Sequence, residues 1–93
     1  MNIPDIIKIG GHYFEVKKTT SKYVSNTATC ENFYNLIQIN TDAAQSAQDE
    51  ALLHEIVEAI DTANDFKLSH MIISTLAENL YQVLKDNKLN FGE

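Results

Sequence analysis

A chain of 93 residues with 44% hydrophobic content can build one modest core over residues 1–93, but no second domain and no deep, fully walled cleft. Its formal charge of -6 comes without any basic cluster, which argues against binding to nucleic acid phosphates or anionic lipid. The start Met1-Asn2-Ile3-Pro4-Asp5 has no basic n-region, and no stretch nears the roughly 20 apolar residues of a membrane span, so a soluble, cytoplasmic protein is expected.

The first half of the chain alternates in period two and the second in period 3.6, which predicts an α+β fold with the change near residues 40–44. Ile6–Ile9 and Tyr13–Lys17 read as a first hairpin turning at Gly10-Gly11, because that pair accepts positive φ. Tyr23–Cys30 and Leu36–Ile39 read as a second hairpin, with Asn32 and Asn35 as its turn residues. The expectation is an antiparallel sheet of about four strands within 5–40. Cys30 has no second cysteine to pair with and reads as a small buried hydrophobe in a reducing cytosol, remote from the segment discussed next. Thr41 or Asp42 is the expected cap of a first helix within about 43–64, packing through Leu52, Leu53, Ile56, Ile60 and Ala63. Asn64 to Lys67 interrupts the pattern. Ser69 then caps a second helix within about 69–87, packing through Ile72, Ile73, Leu76, Leu80, Val83 and Leu84. The short connection makes the two helices antiparallel neighbours. Residues 87–93 are expected to fray, with Phe91 docking back on the body.

Chemistry concentrates on the first helix, in Leu53-His54-Glu55-Ile56-Val57-Glu58. This run is one residue from His-Glu-x-x-His, in which two imidazoles at i and i+4 bind zinc and the adjacent Glu acts as base. Here the second imidazole is replaced by Glu58. At about 100° per residue, His54 and Glu58 lie within roughly 40° of each other, opposite Leu53 and Ile60, a spacing that suits chelation. It equally suits a solvated acidic helix face.

A catalytic zinc needs a third protein ligand and an open position. His70, in the first turn of the second helix, points about 100° from the apolar centre, on a flank that reaches the neighbouring helix. With it the donor set becomes two imidazoles and one carboxylate, an inventory similar to thermolysin's in a different order, and the ion keeps net positive charge. Placing the third ligand there resembles the solution of SprT-like zincins. Glu78 is the alternative, twenty positions after Glu58 as in gluzincins, but it is expected to face solvent and would cancel the ion's charge. Carboxylate ligation also admits manganese or iron. His12 reads as an exposed hairpin residue, and Tyr13, Tyr23, Tyr34 and Tyr81 are the candidates for an oxyanion-stabilising hydroxyl.

Beyond the motif, Ile7-Lys8-Ile9-Gly10-Gly11-His12-Tyr13-Phe14-Glu15-Val16, the strand Leu36–Ile39, the signature Leu53–Asp61 and the closing segment Leu76–Asn87 together resemble small phage- and prophage-encoded zincin-like proteins grouped with ImmA/IrrE-type metallopeptidases. That resemblance spans nearly the whole chain. It implies a minimal zincin-like fold, residence in a host cytoplasm, and an exchange of ligands in which Glu58 replaces a His and His70 compensates. The resulting expectation is a zinc-dependent peptidase-like protein: His54, Glu58 and His70 hold the metal, Glu55 is the catalytic base, and a peptide or protein is the substrate. The alternative is a catalytically inactive binding module that contacts a host or phage protein through the same scaffold. A third reading is a structural domain without a site.

Overall fold

The computed structural model describes residues 2–89; the expected docking of Phe91 lies outside them. The fold is α+β, a four-stranded mixed sheet followed by two helices. Its elements are β1 (Ile6–Ile9), β2 (His12–Thr19), β3 (Ala28–Glu31), β4 (Leu36–Asn40), α1 (Gln45–Asn64) and α2 (His70–Asp86), with a 3₁₀ turn over Asn32–Tyr34 between β3 and β4. Both expected hairpins form. Gly10 and Gly11 take φ of 59° and 92°, and Asn35 closes the second turn in the left-handed region at φ 52°, where Asn tolerates what bulkier residues resist.

The pairing between hairpins differs from the expected antiparallel sheet. Strand order is β1-β2-β4-β3, and β2 runs parallel to β4, with Val16 opposite Ile37 and Lys18 opposite Ile39. Ile37 and Ile39 are fully buried, so the most apolar strand takes a central place and β3 is left at the edge. Residues 23–27, expected to be strand, instead form an irregular loop. Buried Asn40 holds that loop, its side-chain amide donating to the Ser21 hydroxyl, the Val24 carbonyl and the Asn26 carbonyl at 3.0 to 3.2 Å.

One sheet face, formed by Ile9, Phe14, Val16, Ile37 and Ile39, packs on Leu52 and Ala59 of α1 to make the core. The expected cap of α1 does not form: Ala44 occupies the N-cap position without a side-chain bond. Asp42 instead accepts from the Ser21 amide at 2.9 Å, tying the 20–27 loop to the helix approach. Ser69 caps α2 as expected, its hydroxyl accepting from the Ile72 amide at 3.2 Å.

Both helices are turned about their axes relative to the expected packing. Toward the sheet α1 buries Gln48, Leu52, Glu55 and Ala59, while Ile60 and Ala63 are exposed; the rotation is roughly 75°. On α2 Ile73 is buried as expected and Ala77 joins it, while Ile72, Leu76, Leu80 and Val83 stay nearly half exposed, a turn of roughly 60°. The cause is size. Periodicity weighs the largest side chains, but close approach favours the smallest, and Ala59 and Ala77 are 2% and 1% exposed. No helix among the described residues is long and apolar enough to cross a membrane.

Candidate metal centre

α1 forms the floor of an open cleft of about 660 Å³, with the loop 26–27 and edge strand β3 as one wall and α2 as the other. Four successive turns of α1 face it through Ala47, Ala51, His54 with Glu55, and Glu58. This alignment follows from the i, i+3, i+4 spacing on a regular helix.

The rotation of α1 decides the character of Glu55. Glu55 is 6% exposed, between Leu52 and Ala59 on the buried side of the helix. Burial disfavours its charged form, the nearby Glu58 carboxylate repels a second negative charge, and a hydrogen bond to Glu58 holds the proton. Together these push the Glu55 carboxyl up to about 7 from an ordinary 4.5. The protonated carboxyl donates and Glu58 accepts.

His54 lies between two partners. Its Nε2 is 3.5 Å from Glu58 Oε2, and its Nδ1 is 3.5 Å from the Ser74 hydroxyl. The same hydroxyl is 3.4 Å from His70 Nε2, so Ser74 bridges the imidazoles, whose ring centres are 5.0 Å apart. Donor atoms of His54, Glu55 and Glu58 all lie within 4.8 Å of one another. Ligands of a tetrahedral zinc stand about 3.3 Å apart, so a small contraction would close them on an ion. The donor set suits a divalent cation, and the proton shared by the two carboxyls occupies charge that a cation can replace.

His54, Glu55, Glu58 and His70 all line this cleft, but the close donor cluster is His54, Glu55 and Glu58, without His70. His70 sits beside His54 with its Nε2 turned to Ser74, and Glu55 shares the donor cluster with His54 and Glu58. Glu78, expected to face solvent, lines the cleft as an exposed residue because α2 is rotated. His12 is exposed, as expected, and does not line the cleft. None of the four tyrosines lines it either; Tyr13, Tyr23 and Tyr34 are largely exposed elsewhere.

No family model, curated protein or solved structure matches the chain.

Two contributors to the site were not anticipated. Ser74 lies four residues after His70 and so on the same face of α2, a spacing that was readable. Cys30 was expected far from His54; it lines the same cleft from β3. Burial, then the charges of Glu55, Glu58 and Glu31, push its thiol up to about 12. Its inward orientation follows from alternation with Ala28, since both pair with core-facing residues of β4, but its approach to α1 depends on which strand takes the edge.

Proposed function

We propose that the chain is a metal-dependent peptidase of minimal size. The observation that carries this reading is the buried Glu55 carboxyl beside the His54–Glu58 pair in a cleft walled by edge strand β3. His54 and Glu58 hold the ion with His70, which reaches it by turning from Ser74. When bound, the ion supplies Lewis acidity toward water and a carbonyl oxygen. Ser74 orients His54 through Nδ1 and leaves Nε2 for ligation, the tautomer control that outer partners give to ligating imidazoles. With the ion bound, the Glu55 carboxylate would accept a proton from the attacking water and return it to the departing amine. The unpaired edge of β3 offers backbone donors and acceptors to an extended peptide.

A second allocation is favoured by the clustering of the Glu55, His54 and Glu58 donors within 4.8 Å: Glu55 is then a ligand and His70 an outer partner. Glu55→Gln and His70→Ala separate the two. Metal content is measured by elemental analysis of untagged protein, and turnover on a quenched-fluorescence peptide library. If Glu55 is the base, Glu55→Gln keeps the metal and loses turnover while His70→Ala loses the metal; if it is a ligand, the metal losses reverse. A wild type holding stoichiometric metal without turnover leaves a binding module, and one that holds no metal defeats both allocations.

A further inference from the structure

Among the described residues, the rotation of α2 leaves a stripe of large apolar side chains nearly half exposed. Ile72, Leu76, Leu80 and Val83 are 42 to 47% exposed, and Ile60 of α1 is 42% exposed. The spacing i, i+4, i+8, i+11 places the four α2 residues within roughly 80° of one another, on the side of the helix away from His70 and Ser74. A helix of 17 residues that buries only Ile73 and Ala77, packed chiefly on α1, has an unusually small share of its apolar surface covered.

We propose that this face docks a second copy of the chain, as an antiparallel α2–α2 pair about a two-fold axis. Charge is the first argument. The chain carries -6 overall, so most surfaces of two copies repel. Between His70 and Leu84 the only carboxylate or ammonium group is Glu78, which belongs to the opposite, cleft-facing flank. The rim of the stripe is neutral at Thr75, Asn79 and Asn87, with Asp86 its one carboxylate. Geometry is the second. The stripe is nearly symmetric about its midpoint between Leu76 and Leu80, so a two-fold there sets Leu76 against the partner's Leu80 and Ile72 against the partner's Val83, the isologous match that a closed dimer requires. It also brings Asp86 beside the N-terminal turn of the opposing helix, where exposed amides favour an anion. Area sets the strength. The four α2 side chains expose on the order of 350 Å², under half of what one side of a standard interface buries, so the pairing belongs to the weak, transient class. The pairing does not depend on any ion in the cleft.

Sedimentation equilibrium of the untagged full chain, from low micromolar to near-millimolar concentration, tests the proposal. The weight-average mass should rise toward twice that of the monomer, while Leu80→Asp stays monomeric with the far-UV helical signal retained. Asn79→Cys, near the axis, should crosslink into dimers on mild oxidation at least tenfold faster than Lys85→Cys, on the far flank. That crosslinking comparison decides the matter if Leu80→Asp fails to fold. A wild type monomeric throughout, a folded Leu80→Asp that still dimerises, or equal crosslinking at both positions overturns it, and the stripe then belongs to a different occupant.

Discussion

Replacing Glu55 by Gln tests the electrostatics of the cleft without reference to any substrate. The change keeps the shape of the side chain and fixes it in the neutral form. In the wild type the folded carboxyl titrates at about 7, against an ordinary 4.5 in the unfolded chain. Between those values the folded protein holds a proton that the unfolded chain has released, so stability falls as pH rises through this window. At 1.36 kcal/mol for each unit between 4.5 and about 7, the loss has an upper bound of about 3.4 kcal/mol. The cleft admits water and screens the Glu58 charge, which reduces the expected figure to about 2 kcal/mol. Glu55→Gln has no proton to lose there. It should therefore match the wild type near pH 4.5 and exceed it by about 2 kcal/mol at pH 8. Urea unfolding in the presence of a chelator, repeated across pH 4.5 to 8, measures both curves. Parallel pH profiles for the two proteins would refute the assignment of a buried, proton-holding Glu55. Because an ion must displace that proton, wild-type affinity for zinc should also climb up to about tenfold per pH unit until the carboxyl has ionised.

His54→Ala removes the only imidazole in the three-residue donor cluster and should weaken zinc binding on the order of 100-fold or more in calorimetry; a change below threefold places the ion elsewhere. Ser74→Ala, which frees both imidazoles from their shared hydroxyl, should cost about tenfold by the same measurement, and no change would remove Ser74 from any orienting role. Asn40→Ala breaks the bonds that hold the 20–27 loop and should destabilise by about 2–3 kcal/mol, with faster hydrogen exchange at Val24 and Asn26. With its thiol pushed up to about 12, Cys30 should react with an aromatic disulfide reagent at pH 8 on the order of 100-fold more slowly than a free peptide thiol; an ordinary rate contradicts the crowding of carboxylates around it.

The local elements were legible because their signals are local. Gly10-Gly11 and Asn35 mark turns through their tolerance of positive φ, Ser69 marks a helix start through its hydroxyl, and period-two alternation marks Leu36–Ile39 as a strand. The chelating spacing of His54 and Glu58 was legible for the same reason, since it depends only on the pitch of a helix. The cap of α1 was misread because Asp42 spends its carboxylate on a loop that sequence could not place beside it.

What the sequence by itself determined is the α+β succession and the set of polar groups that one helix and the start of the next can offer. The tertiary structure alone decided the parallel seam between the hairpins, the edge position of β3 with Cys30 over the cleft, and the rotation of both helices. That rotation buries Glu55, turns Glu78 and Ser74 toward the site and exposes the Ile72–Val83 stripe. Periodicity weighs each side chain by its own hydrophobicity, whereas packing selects the face where backbones come closest. In this chain that face is set by Ala59 and Ala77, whose small side chains carry little weight in a hydrophobic pattern and permit the closest approach.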